Sequence, residues 1–183
     1  MLPGVMKTPR WHPSFWFILT AALLLRLAAL PLFPYPTGDV NLFCLAAGHF
    51  AEQGRLDMGF KNHFAPEMQR FGLNEPQSQH LPLWPLAGGL VKKILPGADA
   101  YRIFQAGSLL AGLVLLILLE ALCRRLLPPW AVFCAVTLAA GSPLLIEHSV
   151  NGSFYILLPC QWLGVLLLLP ELKKEGHRAP LAL

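Results

Sequence analysis

Charge is what this sequence has least of: of its 183 residues only 13% are Asp, Glu, Lys or Arg, about half of the roughly 25% of an ordinary soluble domain. With 55% apolar residues and a mean hydropathy of +0.54, the shortage excludes a disordered chain and argues against a soluble globular domain. Cysteine is also sparse. Cys44 stands alone, and Cys123, Cys134 and Cys160 lie in or beside apolar runs, so neither a CxxC metal site nor a disulfide framework emerges, and small buried hydrophobes are expected. A glycine-rich phosphate loop, an internal repeat and a low-complexity tract are all missing, which removes nucleotide-loop enzymes and solenoids. The net charge of +4 forms no basic stripe of the kind a nucleic acid needs.

What is present is four long apolar runs, each near the roughly 20 residues that a bilayer crossing takes. The first, 15–33, follows a basic lead, 1–14, that contains Lys7 and Arg10. A signal peptide is the rival reading, but Arg26 would lie close to any small-residue cleavage site at Ala28 and Ala29, so a retained anchor is preferred. The second run occupies 101–123 and ends at Arg124 and Arg125. The third, 130–147, starts after Pro128 and Pro129, and the fourth, 153–170, contains Pro159 and Gln161 and is expected to kink there. Lys7 and Arg10, Arg124 and Arg125, and Lys173, Lys174 and Arg178 fall on one side if the runs alternate. The positive-inside rule makes that side cytoplasmic, with the tail 171–183 on it. The expectation is an all-α, multi-pass protein of the plasma (inner) membrane with about four transmembrane helices, its N-terminus cytoplasmic and its partner the lipid bilayer.

The segment 34–100 then lies outside the cytoplasm and is too long for a plain connector. Two stretches in it have helical spacing. Residues 40–53 follow a turn-rich lead and stop at Gly54, and 83–95 carry Trp84 beside Lys92 and Lys93, so both read as amphipathic juxtamembrane helices lying on the outer leaflet. Asp39 opens the first. Its bland role is an N-cap; its chemical role would be a carboxylate at the water–lipid boundary that takes a proton from an acceptor hydroxyl. Arg26, within the first run, either snorkels, finds an internal partner or contacts a lipid phosphate. Glu120 and Arg124, four apart, read as an interfacial ion pair. His49, Glu52, His63, Glu67 and His80 share the long segment, but Pro66 breaks the second His–Glu pair, so no dedicated metal site is expected and a divalent metal is left open. Asn151-Gly152-Ser153 fits a glycosylation sequon close to two apolar runs.

The order of these features resembles the polytopic glycosyltransferases of the GT-C type, in particular the protein mannosyltransferase and aminoarabinose transferase group. The resemblance rests on an Arg in the first helix, on Gly38-Asp39 opening a helix that ends at Gly54, on Gln79-His80-Leu81-Pro82-Leu83-Trp84-Pro85-Leu86, and on Ser142-Pro143. It implies transfer of a sugar from a polyprenyl-phosphate donor to an acceptor (lipid, glycan or protein) on the non-cytoplasmic face. Asp39 would be the catalytic base, Arg26 and His80 donor contacts, and Glu147 a possible second acid. The chain departs from the pattern at two places: Val40 and Asn41 follow Asp39 where relatives often pair two acids, and Glu147 and His148 fall earlier than the usual second acid. Family members have more membrane helices, so the resemblance also implies an amino-terminal portion. The competing reading is a non-catalytic four-helix membrane scaffold; a small transporter subunit is weaker, because buried polar residues beyond Arg26, Gln105 and Gln161 are few.

Overall fold

The computed structural model describes residues 13–56 and 83–176, and among them every regular element is helical. In chain order these are α1 (Pro13–Ala29), a 3-10 turn (Leu30–Leu32), α2 (Asp39–Gln53), α3 (Leu83–Ile94), α4 (Ala100–Leu126), α5 (Pro129–Gly141), α6 (Pro143–Val150), a second 3-10 turn (Phe154–Ile156) and α7 (Leu157–Gly176). Ser14–Leu32 and Ala100–Leu126 are long and apolar enough to cross a membrane. The 27 residues of α4 extend about 40 Å, more than the hydrocarbon core requires. It starts sharply because the Asp99 carboxylate accepts the Arg102 backbone N–H at 3.0 Å, a side-chain N-cap.

The third apolar run is not one helix. Pro143 has no N–H to continue the ladder, and α5 and α6 meet at a 54° bend around Ser142. The pair is long and apolar enough for one broken span or for a re-entrant loop, so the described residues hold two candidate spans, or up to three if the bent pair is one span. The fourth run is a shorter apolar helix, Phe154–Leu169. Its expected kink at Pro159 is replaced by a simpler arrangement: the proline falls in the first turn of α7, where its missing N–H has no helical acceptor in any case.

α1 turns Phe15, Ile18 and Ala22 toward α4 and α5, where they meet Leu116, Cys123, Val132, Val136 and Ala140. In lipid the tails are as apolar as the core, so association depends on close packing and small residues rather than on leaving water. Gly112 is such a contact. A methyl group added there would meet the Ser149 side chain, so the bare Cα is what lets α6 lie against α4. Cys134, expected to be buried, faces outward, whereas Cys123 is buried and Cys44 and Cys160 are partly buried; all four are free thiols.

One face of α4 is polar. The Gln105 side chain, 2% exposed, donates to the carbonyls of Val150 (2.9 Å) and Phe33 (3.1 Å), and its Oε1 accepts Arg102 Nη1 at 2.7 Å. Tyr101 donates its hydroxyl to the Phe33 carbonyl at 2.9 Å, and Ser108 donates to the Ser149 carbonyl at 3.1 Å while accepting the Gly152 N–H at 3.2 Å. These groups take up the carbonyls that end the first 3-10 turn and α6, which could not be left bare in an apolar surrounding. α4 is thus the post to which the other helix ends are tied.

Candidate functional site

The tied ends of the first 3-10 turn and of α6, with the first turn of α7, meet α2 and α3 at one end of the molecule. The two helices expected between the first and second apolar runs, α2 and α3, form where their spacing places them, but they pack on each other, with the Ala47 carbonyl and Phe50 against Gly89. Phe43 stands edge-on to Phe154 (centroids 5.5 Å), and Trp84 lies against Phe104 at 5.7 Å. The Trp84 indole donates to the Gly152 carbonyl at 3.2 Å. Gly152 has φ +79, and Val40, Phe104 and Tyr101 leave no room for a side chain beside it, so only glycine fits the turn. The sequon is part of that turn: Asn151 Oδ1 accepts the Ser153 N–H at 2.9 Å, and Gly152 and Ser153 are buried.

Asp39 sits at the rim of this aromatic cluster. It is the first residue of α2, and the cap position belongs to Gly38, which corrects the N-cap expectation. Its carboxylate accepts the Tyr155 hydroxyl at 3.2 Å, and among the described residues it is bonded to no backbone N–H of its helix. The Tyr155 ring is met edge-on by the His148 imidazole at 5.7 Å. His148 Nδ1 is buried without a hydrogen-bond partner. Carboxylate, phenol and imidazole, from α2, the turn before α7 and α6, therefore stand in a row. Glu147, next to His148, is exposed on α6, and its backbone carbonyl accepts the Asn151 N–H at 3.0 Å. His80 lies outside the described residues, as do His63 and Glu67. No three His, Cys, Asp or Glu side chains among the described residues converge as a metal site.

Arg26 is elsewhere. It is 0% exposed, so it does not snorkel. Nη1 donates to the Ala22 carbonyl one turn back and to the Ala140 carbonyl at the end of α5, both at 3.2 Å. The Ala140 carbonyl is one that the break at Pro143 removes from the helical ladder, and the guanidinium brings positive charge to the negative end of the α5 dipole. Nε and Nη2 have no partner. As placed, Arg26 fastens a broken helix and touches neither Asp39 nor the bundle surface.

Tyr155 and His148 carry no motif. Tyr155 meets Asp39 across 116 positions of sequence, and the only local cue is the Asn-Gly-Ser turn that aims it. Comparison of the chain with protein families, with curated proteins and with solved structures gave no match.

Beside this cluster, a cavity of about 340 Å³ opens between the Pro34–Pro36 stretch and the start of α4, with Cys44 and Asp99 in its wall. Burial, with the Asp99 carboxylate adding to it, pushes the Cys44 thiol up to about 12. Only the thiolate alkylates, so raising the value makes the thiol less reactive at any pH below it. From an ordinary thiol near 9, the shift of three decades lowers the thiolate fraction at pH 8 about a thousandfold. Maleimide labelling of a variant that retains Cys44 alone should show that retardation, and the ordinary rate should return on unfolding in detergent.

Proposed function

We propose that this sequence belongs to a membrane glycosyltransferase that takes a sugar from a polyprenyl-phosphate donor, with Asp39 as the general base. In this reading the bent α5–α6 pair and 153–170 complete four crossings. The amino-terminal lead, Arg124, Arg125 and the tail are then cytoplasmic, and Asp39 faces the opposite side of an inner membrane. The observation that carries it is the state of the Asp39 carboxylate. It is partly exposed, unspent on capping its helix, and oriented by a phenolic hydroxyl beside an imidazole.

Such a carboxylate can accept the proton of an acceptor hydroxyl as that oxygen attacks the anomeric carbon and the polyprenyl phosphate departs. Glu147, exposed one residue before His148, is the second acid of this reading, and His80 a donor contact. Arg26 would act through the α5–α6 break that it fastens, because its buried guanidinium is not presented to a lipid phosphate. The test is donor consumption. The full-length protein carrying this sequence, reconstituted in liposomes with a labelled polyprenyl-phosphate sugar and a membrane extract as acceptor, should deplete the donor with time and release polyprenyl phosphate. A donor that survives intact, with no photo-crosslink from it to the protein, would overturn the proposal.

A further inference from the structure

A second cavity is at the other end of α4. A cleft of about 530 Å³ lies between the start of α1 and the start of α5, with Phe15, Ile18, Trp130 and Phe133 in its walls and Glu120 and Arg124 at its polar edge. That volume is within the range of small-molecule sites, and the composition, apolar with a few convergent polar groups, is theirs as well. The proposed glycosyl transfer makes no use of it, since Asp39 and Tyr155 stand at the opposite end of α4.

Glu120 is the unusual group. It is 3% exposed, and one oxygen, Oε1, accepts both Arg124 Nε at 2.8 Å and Arg124 Nη2 at 2.7 Å. The other, Oε2, is buried with no hydrogen-bond partner. A carboxylate oxygen shielded from water and left without a donor is destabilising, and ionisable groups kept within apolar helices are usually functional. A donor supplied from the cleft would satisfy it. Trp130 is 72% exposed and Phe133 49% exposed, and exposed aromatics at a helix start are where an interfacial belt meets lipid.

We propose that this cleft binds one phosphatidylethanolamine molecule from the adjoining leaflet, its acyl chain against Phe15, Ile18 and Phe133 and its ammonium donating to Glu120 Oε2. Charge selects the head group. Arg124 is already paired with Glu120 Oε1 through Nε and Nη2, so what the edge of the cleft offers is the unpartnered carboxylate oxygen, Oε2, which favours a cationic N–H donor. A choline head has the right net charge but no N–H to donate. The carboxylate therefore discriminates between two lipids that differ only in methylation.

The experiment is thermal unfolding of the delipidated protein in detergent with added lipid. At roughly tenfold its Kd, phosphatidylethanolamine should raise the Tm by about 3–6 °C, and phosphatidylcholine and phosphatidylglycerol by less than about 1 °C. Across mono-, di- and trimethylated ethanolamine lipids the rise should fall and vanish at the third methyl, where the last N–H is lost. Phe133→Ala, at an outward-facing position, should fold with a nearly unchanged Tm and show a smaller rise, and Glu120→Gln should erase the preference for ethanolamine over choline. A flat response across the methylation series, an equal rise with phosphatidylglycerol, or a preference that persists in Glu120→Gln would each overturn the assignment. None of these measurements depends on sugar transfer.

Discussion

On the proposed reading of Asp39 as general base, Asp39→Asn is expected to lower consumption of the sugar donor by about a thousandfold, within the 10²–10⁴ range of a lost general base, while the protein still folds. The substitution separates chemistry from structure because the contact it must preserve is a single one. Tyr155 donates to the Asp39 carboxylate at 3.2 Å, and an asparagine oxygen accepts the same hydroxyl. Gly38 rather than Asp39 holds the cap position of α2, so the helix start does not depend on the charge beyond the few tenths of a kcal/mol of a dipole interaction. Donor binding, measured by crosslinking, should persist. Turnover within about threefold of the parent, against the hundredfold minimum for a missing base, would remove Asp39 from the mechanism.

Gly112→Val should be strongly destabilising. Replacing a mid-helix glycine normally helps, by up to about 1 kcal/mol for alanine. Here the added Cβ would fall 2.8 Å from the Ser149 Cβ and 3.4 Å from Arg26 Nε, with the Ser149 hydroxyl closer still. Ser149 cannot step aside freely, because its hydroxyl is bonded to the Leu145 carbonyl and its own carbonyl to Ser108. Overpacking of this kind costs about 1–3 kcal/mol or more, which exceeds any propensity gain, and α6 would be driven from α4. Gly48→Ala, on α2 with open space around its Cα, is the control and should be neutral or stabilising. The relative Tm of the two variants checks both, and a Gly112→Val protein as stable as the parent would contradict the packing described for α4 and α6.

The helices were legible because a low-charge sequence leaves its punctuation in plain view. Gly38 and Gly54 bound α2 and paired prolines open α5, whereas the Asp99 cap of α4 emerges only in the structure. The break at Ser142 was written in the sequence as well, but an apolar run long enough to span masks a single proline, and nothing in composition distinguishes a bent span from a straight one. Arg26 could have been placed inside from its register alone. Phe15, Ile18 and Ala22 advance by three and four to Arg26, so the arginine continues the buried stripe rather than the lipid-facing side. Its acceptor could not have been found that way, since the Ala140 carbonyl is 114 positions distant and is available only because the helix breaks. The same holds for the candidate site. Asp39 is visible as an acid after a turn-rich segment, whereas Tyr155 and His148 reach it only through the tying of α6 to Gln105 and Ser108, a tertiary arrangement that no local pattern carries.

The bond between Arg26 and Ala140 also makes α1 and α5 depend on each other. Without α5 the guanidinium keeps only the Ala22 carbonyl of its own helix, and in a helix that crosses a bilayer an arginine costs about 2.5–3.5 kcal/mol near the helix centre. The first helix is therefore at a disadvantage without α5, and the bent pair in turn has a carbonyl without a donor in the absence of α1. Each side of this contact is incomplete alone, so α1 and the α5–α6 break hold each other in place.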